Sequence, residues 1–426
     1  MSLCLSGGRV IDPASNTDKT ANLYIDDGRI LSIGRAPSGF SAADTIDVRG
    51  QIVCPGFIEL SAHLREPGYE YKATIISECR AAVAGGFTSI CCTPDTQPVA
   101  DNASVVEHIK QHARRARAAK VHCIGALTRG LEGNVLAEMH ALKESGCIAV
   151  TNGDRAIADT SVLRQALGYA ASCELTVILR PLEHWLGLGG KMHDGAVSTR
   201  LGLPGIPEAE EIIAVSRDLT LVEETGVRAH FSRLSSGQSV RLITRARRAG
   251  VPVTADIALA NLLFTDQDVG AYDTNFHLYP PLRETKHRTR LRAAVRKREI
   301  DAICGNHEPH DADSKTTPFS LSAPGMSTFD TFLPALLSLV DRGVFDLSTA
   351  IAAVSQAPSE ILDLGAGSLT SGAPADVCVF DAQHEWLADA SNLRSSGKNT
   401  PFLNQTLRGR TTMTIVSGRV VYSLGS

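Results

Sequence analysis

Apolar runs and amphipathic stretches alternate through the middle of the chain, while both ends carry apolar runs separated by tight turns. The middle opens with the stretch Pro55–Gly68, an apolar run that ends in a polar cluster and is stopped by Pro-Gly. Further strand-like runs follow at Thr88–Cys92, Val121–Gly125, Ala149–Thr151, Thr176–Leu179, Arg228–Phe231, Val253–Ile257 and Ala302–Cys304. Helical periodicity fills the gaps, for example at Ala103–Ala118, Ser161–Ala171, Glu208–Thr225 and Ser239–Arg248. Eight apolar strands with helices between them predict an α/β fold of the (β/α)8 TIM barrel type over 55–365. A doubly wound sheet is the alternative, but no Gly-x-Gly-x-x-Gly follows the first strand. At the ends, Leu3–Ile11, Ala21–Ile25, Arg29–Ile33 and Thr45–Val53 read as strands, as do Asp376–Phe380 and Thr411–Val421 with a turn at Ser417-Gly418. Residues 1–54 and 366–426 are therefore expected to build one small β-domain from both termini.

Composition narrows the function classes. Lys plus Arg is 42 against 46 Asp plus Glu, a formal charge of −4, which gives no footprint for nucleic acid or an acidic membrane. Arg114-Arg115-Ala116-Arg117 and Arg245-Ala246-Arg247-Arg248 lie in helical patterns and read as solvated faces. The ten cysteines form no Cys-x-x-Cys pair and mostly sit in apolar runs. That pattern predicts buried free thiols in a reducing cytoplasm rather than a zinc knot or disulfide framework. No signal peptide or membrane-spanning apolar run is read in the sequence.

Barrel chemistry sits where strands end, so the strand tips carry the functional reading. On the first strand, alternation places Ser61, His63 and Arg65 on one face. A His-x-His there would hold a metal with two imidazoles; this chain has Ser-x-His. The stretch Pro55-Gly56-Phe57-Ile58-Glu59-Leu60-Ser61-Ala62-His63-Leu64-Arg65-Glu66-Pro67-Gly68 resembles the first barrel strand of the dihydroorotases, in the amidohydrolase superfamily, which usually read His-x-His-Leu-Arg-Glu-Pro-Gly. The resemblance runs over nearly the whole chain. It includes Gly190–Gly195, Ser198–Pro207, Tyr272–Arg283, Ala323-Pro324-Gly325 and Gly397–Phe402.

Carried across residue by residue, the resemblance implies that six metal positions fall on Ser61, His63, Asn152, Arg180, Arg233 and Asn306, of which His63 alone keeps a ligand type. Asp154 would return as a ligand only by a one-residue slip. Asn306 replaces the aspartate that acts as general base, and an amide cannot accept a proton at neutral pH. Arg180 and Arg233 stay protonated. Each puts positive charge where a dication would sit, at a cost of about 4 kcal/mol per like-charge contact at ~4 Å and an effective dielectric of ~20. Substrate-binding remnants fall on Arg65, Asp95, Tyr279 and His310, with Asp95 expected to pair with Arg65. His230 is expected to be a structural histidine.

The resemblance thus implies a catalytically inactive dihydroorotase homologue, like those that serve in bacteria as the non-catalytic partner of aspartate carbamoyltransferase. The expected partner is that enzyme's catalytic chain, with a homodimer inside a larger hetero-oligomer, no cofactor, and a cytoplasmic location. One alternative is a divergent cyclic-amide hydrolase with a zinc site rebuilt from His63, His307, Glu308 and His310. Another is an anion sensor built on Arg65, Arg180, Arg233, His63 and His310, against which stands pairing of these arginines with Asp95, Glu183 or Glu308.

Overall fold

A computed structural model of the chain describes residues 2–425. The central strands Phe57–Ala62, Phe87–Cys92, Lys120–Ala126, Ala149–Thr151, Thr176–Leu179, Ala229–Phe231, Val253–Ala258 and Ala302–Cys304 lie side by side in chain order in one eight-stranded sheet. All the neighbouring pairs are parallel. Helices such as Ala103–Ala116, Thr160–Ser172, Glu208–Thr225 and Gly237–Arg248 connect them, and the apolar core lies between these helices and the strands. Leu60, Cys91, Ile124, Ile178 and Cys304 form a further apolar cluster with Ile361 and Leu362. The chain around these last two also accepts from Arg228, just ahead of the sixth strand, and so closes the barrel end opposite the strand tips.

The first and last strands close the barrel only at their tips. His63 N–H donates to the carbonyl of His307 (2.9 Å) and His307 N–H to that of Ser61 (3.0 Å). Below this bridge the Glu59 carboxylate replaces the missing ladder. It accepts from the N–H groups of Ser61 (2.9 Å), Gly305 (2.7 Å) and Asn306 (3.2 Å). Gly305 is required for this approach, since a Cβ there would stand 2.4 Å from Glu59 Oε2.

A second sheet interleaves the two ends of the chain. Its order is Arg419–Ser423, Thr406–Val416, Val377–Leu387, Ile52–Pro55, Leu3–Asp12, Thr17–Asp26 and Arg29–Ile33, with Asp44–Asp47 also paired to Leu3–Asp12. The single strand expected over Thr45–Val53 is two, Asp44–Asp47 and Ile52–Pro55. The chain turns between them at Gly50, which has a φ of 79°. The ten cysteines are buried and unpaired. Among the described residues, no helix is long and apolar enough to cross a membrane.

Candidate functional site at the strand tips

The first strand ends at Ala62, so alternation does not carry on to Arg65, which sits in the following loop with a φ of 64°. Arg65 is nevertheless buried at the barrel mouth. Its Nε donates to the Pro309 carbonyl (3.0 Å) and an NH2 to Glu308 Oε1 (3.1 Å). Asp95 does not pair with Arg65 as the sequence suggested. Its Oδ2 lies 2.6 Å from His63 Nδ1, and its Oδ1 accepts from Thr93 Oγ1 (2.5 Å). A charged imidazole at His63 is disfavoured by burial, but Asp95 and Glu308 outweigh this and leave its pKa above the ordinary value. Burial likewise works against charge on Asp95, and the His63 contact more than reverses it, holding the carboxyl well below its usual range.

Arg180 and Arg233 converge on one carboxylate, that of Asp154. Arg180 Nε donates to Oδ1 (3.2 Å), Arg233 NH2 to Oδ1 (2.8 Å) and Arg233 NH1 to Oδ2 (3.3 Å). Asp154 is not among the partners expected for these two arginines. Arg65 does pair with one of the expected acids, Glu308, while Glu183 accepts instead from the backbone N–H groups of Trp185 and Leu186. Arg233 NH1 also donates to Asn306 Oδ1 (2.8 Å), the same oxygen that Ser61 Oγ approaches at 3.2 Å. Tyr279 lies under Arg180, with 4.8 Å from its ring centre to the guanidinium, and its hydroxyl donates to Glu210 (2.8 Å). Three of the six positions are thus tied into one hydrogen-bonded chain from Arg233 through Asn306 to Ser61, and a fourth, Arg180, joins it at Asp154.

The other positions turn elsewhere. Asn152 is spent on Thr128 Oγ1 (2.6 Å) and on the carbonyls of Leu131 and Arg155. His230 lies between Thr254 Oγ1 and Asp256 Oδ2, each at 2.9 Å. His307 accepts from Thr328 N–H at Nδ1 (3.0 Å), approaches Glu78 at Nε2 (2.8 Å) and stacks on Phe329, so both its nitrogens are engaged away from His63. His310 Nε2 lies 2.8 Å from the Pro324 carbonyl and 3.2 Å from Arg65 NH2, and Nδ1 lies 3.2 Å from Lys72 Nζ, so both its nitrogens are engaged. A one-metal centre of His63, His307, Glu308 and His310 is therefore not assembled. The strand-tip residues do not fit a zinc ion: His63 leaves Nε2 buried and without a partner, but two guanidinium groups, two amides and a serine stand at the other positions where the resemblance places ligands, so no second ligand meets it. A cleft of about 570 Å³ opens beside this cluster, bordered by Asn134, Asp154, Arg155, Glu183 and Tyr279.

Sequence reasoning passed over Glu59 and discounted Asp154. Glu59 was legible as an acid inside the apolar run of a buried strand, a placement that demands hydrogen-bond donors. Asp154 was legible only as an unassigned carboxylate near two arginines that each needed one.

The model of the "Dihydro-orotase-like" family matches residues 50–239. A "Dihydroorotase-like protein" of Pseudomonas putida is 46% identical over 422 residues, covering 99% of each chain. The chain belongs to the dihydroorotase-like family. A second "Dihydroorotase-like protein", from Pseudomonas aeruginosa, is 45% identical over 99% of this chain and all of its own. A "Dihydroorotase" from Trichlorobacter lovleyi is 41% identical over the same shares. In fold, the dihydroorotase-like chain matches the L-hydantoinase (dihydropyrimidinase) of Arthrobacter aurescens with a TM-score of 0.89 at 21% identity, covering all of this chain and 96% of that one.

Proposed function

We propose that this dihydroorotase-like chain is catalytically inactive and serves pyrimidine biosynthesis as a cytoplasmic, non-catalytic subunit assembled with the catalytic chain of aspartate carbamoyltransferase. The inactive half of this reading rests on one observation. Asp154 bridges Arg180 and Arg233, and Arg233 reaches on to Asn306. Opening or closing a cyclic amide needs a water made nucleophilic and a base to take its proton. Five of the six positions supply two neutral amides, two guanidinium groups and a serine hydroxyl, none of which does either, and the sixth, His63, pairs with Asp95 but has no second ligand beside it to hold a metal-activated water. The thiols nearby, Cys91, Cys92 and Cys304, are pushed far above their usual pKa by burial and offer no nucleophile.

The assembly half rests on the resemblance of the whole chain to inactive homologues that support the transferase. A fold kept complete after its chemistry has gone is what a scaffold requires. In this role the chain is a homodimer within a larger hetero-oligomer and takes no metal at the strand tips. The test is size-exclusion chromatography of the co-expressed chain and transferase from the same genome. One co-eluting peak larger than either alone is expected; two separate peaks would end the scaffold reading.

A further inference from the structure

Two groups of metal-ligating side chains come together outside the strand-tip positions: Glu66 with His108 and His112, and Glu284 with His193 and His287. The second is chemically mismatched. Arg283 faces His193 Nδ1 at 3.2 Å and Gly237 N–H donates to His287 Nδ1 (3.3 Å). Both neutral rings then carry their proton on Nε2, and Arg283 adds fixed positive charge.

The first group is built differently. His108 and His112 are four residues apart on the helix Ala103–Ala116 and therefore share a face, with ring centres 4.3 Å apart. Glu66 follows Arg65 in the loop after the first barrel strand, and its Oε1 lies 2.6 Å from His112 Nδ1. Its other oxygen accepts from Ile75 N–H (2.9 Å), which fixes the carboxylate as a supporting donor does in a metal site. Candidate ligand atoms of all three residues lie within 4.8 Å of one another. Two imidazoles and one carboxylate are a donor set that zinc takes with water in its remaining position. Ligands at 2.0–2.2 Å stand roughly 3.3 Å apart, so a small rotation of the exposed His108 side chain and a slight opening of the Glu66–His112 contact suffice.

We propose that Glu66, His108 and His112 form a zinc site that ties the loop after the first barrel strand to the helix Ala103–Ala116. The site is separate from the family's strand-tip position and uses none of its residues. The test is titration of the full-length, chelator-stripped chain with Zn²⁺ against a chromophoric chelator, with Co²⁺ visible spectra reporting nitrogen and oxygen ligation. One saturable equivalent is expected. It should weaken at least about tenfold in His108→Ala, vanish in the His108→Ala/His112→Ala double variant, and persist in His63→Ala. Because His108 is exposed, its variant retains the fold, which circular dichroism checks. No saturable binding, or binding that survives the double variant, would overturn the zinc site and leave the strand-tip reading untouched. Binding lost with His63→Ala would overturn both.

Discussion

Asp154 receives hydrogen bonds from two guanidinium groups that are themselves buried, at 8% exposure for Arg180 and 4% for Arg233. Removing its charge takes from two buried cations the one carboxylate that both contact, leaving Glu210 and Asp256 to act on them from farther off, and breaking a buried pair from one side is costly. Asp154→Asn is expected to destabilise the chain by about 3 kcal/mol or more in urea denaturation. A loss below about 1 kcal/mol would mean that solvent in the neighbouring cleft already screens both arginines. That two arginines in a buried site must find carboxylates was legible from the sequence. Which carboxylate was not, because the choice depends on how the loop after Ala149–Thr151 folds back. The same holds for Asp95, where a chain reading weighs residue types and the fold decides that His63 is nearer than Arg65. The histidine at 230 was readable as structural. Its partner Asp256 lies 26 positions on and meets it only through strand pairing.

At the scale of elements, the barrel strands were legible because each is a short apolar run, and the helix expected over Glu208–Thr225 has those bounds. The seam between the first and last strands was not legible, since it joins segments separated by more than 240 residues, as in the bond from Gly305 to Glu59. Burial raises the Glu59 carboxyl from 4.5 to about 8 despite its three N–H donors. A folded pKa above the unfolded one means a stabilising contribution that is full below pH 4.5 and lost as pH rises through about 8. Thermal stability is accordingly expected to decline over that window, and Glu59→Gln should remove part of the decline. The measurement is the melting temperature of both chains from pH 5 to pH 9. An identical pH slope for the two would show that Glu59 is already ionised at the seam.

For the whole molecule, the family is the dihydroorotase-like one and the fold is that of the hydantoinases, and the strand tips hold a closed network of arginines, acids and amides. Both halves follow from one sequence. The apolar runs, the Pro-Gly stops and the interleaved terminal strands keep the architecture, while Ser61, Arg180, Arg233 and Asn306 fill the tips with side chains bonded to one another and to Asp154. The cleft beside Asp154 persists as an opening of about 570 Å³. One assay decides whether this opening leads to a catalytic centre. The zinc-supplied full chain is incubated with dihydroorotate and, separately, with carbamoyl aspartate, and conversion is followed beside the His63→Ala variant. An inactive chain gives no conversion above that of the variant at any zinc level. Turnover that appears with zinc and disappears in His63→Ala would contradict inactivity.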